Sequence, residues 1–268
     1  MSIDITSDRL FGPATPDLGW VPAPRYLLRR RRILEQLRDL PATELLEIGP
    51  GAGMLMQELA ALGFSCHALE TSPPARQLVT AVSKRFSNDI ALHDTPSPEW
   101  ESRFPLVMAF EVLEHIEDDH AAMRHWANWL RPGGTLLFSV PAHPAQWNAA
   151  DVWAGHFRRY RKRELVDIVR EHGLELEHIE CMGFPLANVT EKMQARGIER
   201  EQRRNQAAGD RQSNNDRSGI DREHVMRWYP LMTSVGGRLA LRCAFAAQWL
   251  TRHLPLGNSY LVRARKPT

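Results

Sequence analysis

The chain has 268 residues, of which 43% are hydrophobic and 25% charged, with a formal charge of +2 at neutral pH. That length exceeds the roughly 150 residues of a minimal domain but stays within single-domain range, so one core carrying an elaboration is expected. The apolar fraction is ordinary for a soluble globular protein, and the near-neutral balance excludes a strong general attraction to nucleic acid.

At the start, Met1 to Leu10 carries Asp4 and Asp8 and lacks the apolar run of a signal peptide, so no export is expected. Cys66, Cys181 and Cys243 are few and widely spaced, with no paired metal-ligand pattern, which predicts reduced, buried thiols and a cytoplasmic location. A Pro- and Gly-punctuated lead from Phe11 to Pro24 runs into a helix expected over Arg25 to Leu40, where Leu27, Leu28, Ile33, Leu34 and Leu37 recur at helical spacing and Pro41 closes it. Arg29 to Arg32 on that helix read as a solvated, salt-bridged face, with an anionic acceptor as the exception.

Strands and helices then alternate. Apolar Glu44 to Ile48 predicts a strand, Met54 to Leu62 a helix, Ser65 to Leu69 a strand, and Ala75 to Arg85 a helix after the turn Ser72-Pro73-Pro74. Ile90 to His93 is a short strand and Leu106 to Phe110 another; Asp118 is the N-cap of a helix, and Gly134 to Val140 follows Pro132-Gly133 as the next strand. Helix Lys162 to Glu171, strand Leu174 to Cys181 and strand Ser259 to Arg265 complete a pattern that specifies an α/β, Rossmann-like, doubly wound and mostly parallel sheet.

The most informative stretch is Glu47-Ile48-Gly49-Pro50-Gly51-Ala52-Gly53, with Glu70 about twenty residues on at the end of the second strand. Glycines between strand and helix let the backbone turn tightly against a ligand, and Glu70 is placed to accept hydrogen bonds from a ribose. A dinucleotide puts its pyrophosphate at this turn, where the Glu47 carboxylate repels it. The same carboxylate attracts an ammonium and a sulfonium, so the loop favours S-adenosylmethionine over NAD. The spacing agrees, being G-x-G-x-G and not G-x-G-x-x-G.

Four motifs in order carry a resemblance: Glu47 to Gly53, Ala68-Leu69-Glu70-Thr71-Ser72, Phe110-Glu111-Val112-Leu113-Glu114-His115-Ile116, and Leu130-Arg131-Pro132-Gly133-Gly134-Thr135-Leu136. Together they resemble the class I S-adenosylmethionine-dependent methyltransferases, and within them the small-metabolite and glycan type similar to the ubiquinone-biosynthesis O-methyltransferases. The resemblance implies a seven-stranded sheet with an antiparallel last strand, S-adenosylmethionine as cofactor and S-adenosylhomocysteine as product. Cofactor contacts are expected at Glu47, Gly49, Pro50, Gly51, Gly53, Glu70, Thr71, Asp94, Phe110, Glu111 and Val112, with Asp94 facing the adenine. In the family the lead, which here carries Trp20 and Tyr26, often folds across the pocket, so both are candidates to line it; the alternative is that they staple local packing at the helix start.

On the acceptor side, the densest polar-aromatic cluster runs from Ser139 to His143 and on through Asp151 to Tyr160. His156 or His143 is the expected general base, since an imidazole can take an alcohol proton as the methyl arrives. The duller alternative for His156 is a hydrogen bond to Tyr160 or Asp151. Ubiquinone-pathway and small-RNA 2′-O-methyltransferases use a similar Glu-x-x-Glu-His as metal ligands, so Glu111, Glu114 and His115 are a candidate Mg²⁺ set, though a metal-free site is the expectation.

The departure from the family pattern is the segment Gly183 to Gly257, a helical insertion before the last strand. Glu191 to Glu223 is almost devoid of apolar residues and reads either as a solvated helix with a disordered patch at Gly209 to Ser218 or as a lid. Val235 to Leu254 is amphipathic with a basic polar face: Leu239, Leu241, Phe245, Ala246, Trp249 and Leu250 beside Arg238, Arg242 and Arg252. Packing on the domain, a homodimer contact, or peripheral contact of residues 235–254 with the inner membrane surface remain open for it. The organisation expected is therefore a lead and helix over 1–41, a cofactor-binding core over 42–182, the insertion over 183–257 and a final strand over 258–268. The activity expected is methylation of a small-molecule or glycan-like acceptor, on oxygen; RNA methylation and a non-catalytic nucleotide-binding or scaffolding module are the alternatives. RNA is disfavoured because no basic nucleic-acid domain accompanies the core.

Overall fold

The computed structural model describes residues 8–205 and 222–268. Strands β1 (Glu44–Ile48), β2 (Ser65–Leu69), β3 (Ile90–His93), β4 (Phe104–Phe110), β5 (Leu130–Pro141), β6 (Glu175–Met182) and β7 (Ser259–Arg265) form one seven-stranded sheet in the order β3-β2-β1-β4-β5-β7-β6. The pairs from β3 to β5 are parallel, and β7 runs antiparallel between β5 and β6. The chain reverses at β1, so the carboxyl ends of β1 and β4 flank a crevice, which is where ligands settle in open sheets of this kind.

Successive side chains on the buried strands point to opposite faces and build two cores. On one face Leu46, Ile48, Val107, Ala109, Leu136 and Phe138 meet Met123 and Trp126 of α4 (Asp119–Trp129) and Leu165, Ile168 and Val169 of α6 (Lys162–Glu171). On the other, Leu45, Leu106, Met108 and Leu137 meet Ile33 and Leu37 of α1 (Pro24–Leu37) and Leu55, Met56 and Leu59 of α2 (Met54–Ala61). Each fully buried Leu or Ile contributes about 1.5–3 kcal/mol, which is why the apolar runs so strongly dictate the sheet. The Asp118 cap forms, its Oδ1 accepting from the Ala121 amide at 2.8 Å.

Some boundaries and one surface differ from expectation. α1 stops at Leu37, three residues early, in a turn closed by the Leu40 amide on the Leu37 carbonyl. β5 begins at Leu130 because Leu130 pairs with Phe104 before a register shift. The arginine run is salt-bridged, but half of it is not solvated. Arg30 and Arg32 are buried, Arg30 on Glu58 and Arg32 on Glu180 of β6, so they tie α1 to the domain.

The insertion does more packing than its composition suggests. In α7 (Leu186–Asn205), Ala187, Glu191 and Ala195 form a narrow buried stripe at i, i+4 and i+8, against α1 and against α5 (Ala149–Ala154). Short α8 (Glu223–Met226) and α9 (Tyr229–Thr233) lead into α10 (Val235–Thr251), whose Leu241 packs with Phe11 and Leu27. The patch Gly209 to Ser218 lies outside the described residues.

Candidate active site

A pocket opens at the carboxyl ends of β1 and β4, walled by α1, the glycine loop, α5 and α7. Glu47 closes β1 at its floor. Its side chain is 4% exposed, Oε2 accepts no hydrogen bond, and burial pushes its carboxyl up to about 8, with Glu70 adding to the shift and Arg29 opposing it. After Glu47 the chain turns through Gly49, Gly51 and Gly53, all at positive φ (63°, 58° and 69°). A Cβ at position 49 would lie 2.8 Å from Val112 Cγ2, so only glycine allows this turn to approach the segment after β4. The loop is bonded into the sheet by the Gly49 amide on the Leu69 carbonyl.

Glu70 stands behind the loop, its carboxylate accepting from the Gly51 amide at 3.3 Å and the Ser72 amide at 2.9 Å. Glu111, after β4, adopts φ +57°, a strained value for a residue with a side chain. Its Oε1 accepts from the hydroxyls of Ser139 (2.8 Å) and Ser259 (2.7 Å), with Arg29 3.8 Å away. Burial opposes ionisation, but Arg29, Arg25 and the two hydroxyls hold the carboxyl below its usual range.

Glu114 differs sharply. It is 0% exposed, both carboxyl oxygens lack hydrogen bonds, and burial and the Glu111 charge raise its pKa well above normal. Its Oε1 lies 3.9 Å from His156 Nε2, and His115 packs edge-on against the His156 ring with centroids 4.7 Å apart. One donor atom from each of Glu114, His115 and His156 falls within 4.8 Å of the others.

His156 Nδ1 lies 2.9 Å from Asp151 Oδ1. Burial raises the Asp151 pKa, but hydrogen bonds from His156 and Arg159 outweigh it and keep the group ionised. An ionised carboxylate only accepts, so the Nδ1–H donates and the ring's lone pair is on Nε2, on the side of Glu114. Arg159 donates to both Asp151 oxygens at 2.8 Å and to Glu191 at 2.5 Å. Glu191 also accepts from the amides of Asn148 (2.8 Å) and Asn258 (2.5 Å).

Of the residues singled out in the sequence, Glu47, Gly49, Pro50, Gly51, Phe110, Glu111, His115 and His156 line this one pocket, together with Trp20 and Tyr26 of the lead. Gly53, Glu70, Val112 and Glu114 are not lining residues, although Glu70 accepts from the Gly51 amide, Val112 packs at the Gly49 turn and Glu114 lies 3.9 Å from His156. Thr71 and Asp94 are exposed on the β2–β3 side, and Asp94 accepts from the Thr95 hydroxyl at 3.4 Å. His143 is turned away: at φ +60°, its ring meets Cys181 Sγ at 3.6 Å and the Tyr260 hydroxyl at 3.5 Å, outside the pocket lining. Burial and nearby Arg159 lower its pKa.

A methyltransferase-domain family model matches residues 23–179, more than half of the sequence. The chain belongs to the class I S-adenosylmethionine-dependent methyltransferases. The ubiquinone biosynthesis O-methyltransferase of Xanthomonas campestris pv. campestris (strain B100) is 30% identical over 125 residues, 45% of this chain and 52% of that protein. The chain thus spans about half the length of the curated relatives it matches first. Among solved structures, a putative sarcosine dimethylglycine methyltransferase from Galdieria sulphuraria superposes with a TM-score of 0.57 at 14% identity, covering 97% of this chain and 94% of the other. The N-methyltransferase NodS from Bradyrhizobium japonicum WM9, solved with S-adenosylhomocysteine, gives a TM-score of 0.53 at 18% identity over 91% and 89%. These structural likenesses establish the methyltransferase fold, and the family's cofactor is S-adenosylmethionine.

Residues that sequence reasoning passed over complete the wall. Glu191 and Asn258 join a network whose other members, Asp151, His156 and Arg159, lie roughly thirty to a hundred residues away. The signal for Glu191 was the spacing of Ala187, Glu191 and Ala195, a stripe too narrow to stand out among charged neighbours. Asn258 carried no sequence signal.

Proposed function

We propose that this methyltransferase methylates a hydroxyl of a small-molecule or glycan-like acceptor, with His156 as general base. The observation that carries the reading is the Asp151–His156 pair: an ionised, Arg159-held carboxylate fixes the Nδ1–H tautomer, which puts the ring's proton-accepting nitrogen, Nε2, on a residue that lines the pocket. Asp151 orients the ring and stabilises the imidazolium formed when Nε2 accepts the acceptor proton. The name of the Xanthomonas relatives speaks for oxygen as the methylated atom.

The glycine-loop side fits the methionine end of the cofactor. Glu47 offers a buried carboxyl with an unpartnered oxygen, suited to an ammonium, and the turn at Gly49 leaves no room for a Cβ. When bound, the cofactor supplies a methyl group on a sulfonium, an electrophile that needs alignment more than activation. Glu47 holds the ammonium, Glu70 receives the ribose, and Trp20 and Tyr26 exclude water from above. Turnover is read as S-adenosylhomocysteine release across a panel of phenols, sugars and amines; methylation of amines alone would refute the reading.

One observation favours a second reading. Glu114 is a buried carboxyl without a hydrogen bond at the centre of the Glu114–His115–His156 cluster, a donor set that fits a divalent cation. Glu111 is no part of that cluster, because Ser139, Ser259 and Arg29 engage it. A bound cation would stabilise a developing alkoxide. His156 Nε2 cannot be both ligand and base, so chelation separates the two: turnover unchanged by EDTA supports the base, and turnover lost to EDTA and restored by Mg²⁺ supports the cation.

A further inference from the structure

We propose that the outer face of α9 and α10 rests on a membrane surface carrying anionic phospholipid. Large apolar side chains crowd this part of the surface: Trp228, Leu231, Val235, Leu239, Trp249 and Leu250 are all more than half exposed, with Val235 at 87% and Leu250 at 70%. On α10, Leu239, Cys243, Ala246 and Leu250 recur at i, i+4, i+7 and i+11, so they share one side of the helix. A stripe of this extent on a soluble domain marks a docking surface.

The orientation of that stripe is held from below. Leu241 and Gln248 face inward, and Gln248, fully buried, donates to the Leu28 carbonyl at 3.0 Å while its Oε1 accepts from the Gly183 amide at 2.8 Å. Rotating α10 to hide the apolar face would break both bonds and bury an unsatisfied amide. The helix therefore has two apolar sides, and the domain core uses only one.

Charge identifies the occupant. From His224 to Thr268 the sequence contains no Asp or Glu, while Arg227, Arg238, Arg242 and Arg252 lie along α8 to α10. Arg238 is neutralised by Asp8 at 2.7 Å. Arg252 lies over the Trp249 ring at 4.3 Å, in a cleft to which α1 and the turn after it add Arg31 and Arg38 along with Glu35 and Asp39. A symmetric dimer through this face would set Arg242 against its own copy, and from His224 onward the chain supplies no carboxylate to pair with it. A lipid surface instead offers phosphates to the arginines, acyl chains to the leucines, and an interface that favours tryptophan at both ends. Among the described residues no helix is long and apolar enough to cross a membrane, so the element lies on the surface.

The test is sedimentation of the whole protein with vesicles of phosphatidylcholine alone or with phosphatidylglycerol added, at low and high salt. The protein should co-sediment with the anionic vesicles and be released by salt. Arg242→Ser with Arg252→Ser should weaken partition about fivefold for each charge removed, and Leu239→Glu with Leu250→Glu by at least about tenfold. Unchanged S-adenosylhomocysteine binding by both variants keeps misfolding out of the result. The proposal is overturned if the protein ignores anionic vesicles, if it binds neutral ones equally well, or if light scattering finds a dimer that Leu239→Glu dissociates.

Discussion

The two sides of the pocket are built in different ways. The cofactor side is nearly continuous in sequence: Glu47, the glycine turn and Glu70 fall within 24 residues, and most of what they do follows from backbone geometry at two strand ends. The proposed acceptor side is assembled from β4's end, α5, the Arg159 loop, α7 and the start of β7, and is held by charges that satisfy one another. A backbone site tolerates drift in the rest of the chain. A side-chain network depends on every segment that reaches it, α7 of the insertion included.

Changes aimed at each side should break this contrast in different measurements. The largest effect is expected from His156→Ala, which should lower turnover about 10²–10⁴-fold while leaving S-adenosylhomocysteine affinity unchanged, by calorimetry. A parallel loss of affinity would remove the separation between the two sides. Glu191→Ala comes next: it strips a buried carboxylate from Arg159, so chemical denaturation should report a loss of about 3–5 kcal/mol. Glu191→Gln keeps an acceptor oxygen for one of the two amide contacts and should cost less. A surface-like loss below about 1 kcal/mol would mean that α7 is not part of the acceptor wall.

Glu47→Gln should weaken S-adenosylhomocysteine by about 1.5–3 kcal/mol, the worth of a hydrogen bond to a charged group. The pH dependence sharpens this prediction. The folded, ligand-free protein holds a proton on Glu47 up to about pH 8, whereas the unfolded chain releases it near 4.5, so this group costs stability as pH rises between those values. An ammonium requires the ionised form, so affinity should climb with pH, at most about tenfold per unit, and level off above about 8. In Glu47→Gln the slope should vanish. The smallest effect is expected from Glu70→Ala, about tenfold in affinity, because its carboxylate also braces the Gly51 and Ser72 amides and the loop can partly hold itself through Gly49 and Gly53.

By itself the sequence determined the sheet, the glycine turn and the cofactor, because these depend on local period, on glycine's positive φ and on a carboxylate placed at one strand end. The β6, α6 and β7 spans were legible for the same reason, since apolar alternation and an uninterrupted helical stripe need no distant partner. Only the tertiary structure decided that Arg30 and Arg32 are buried, that His156 and not His143 reaches the pocket, and that Glu191 closes the wall. It likewise brought His156 beside Glu114 and His115, and decided that α10 spends one apolar face on the core and leaves the other exposed. Each of these depends on which charge or surface a distant segment brings alongside. A buried arginine or carboxylate looks no different from a solvated one until its partner is in place.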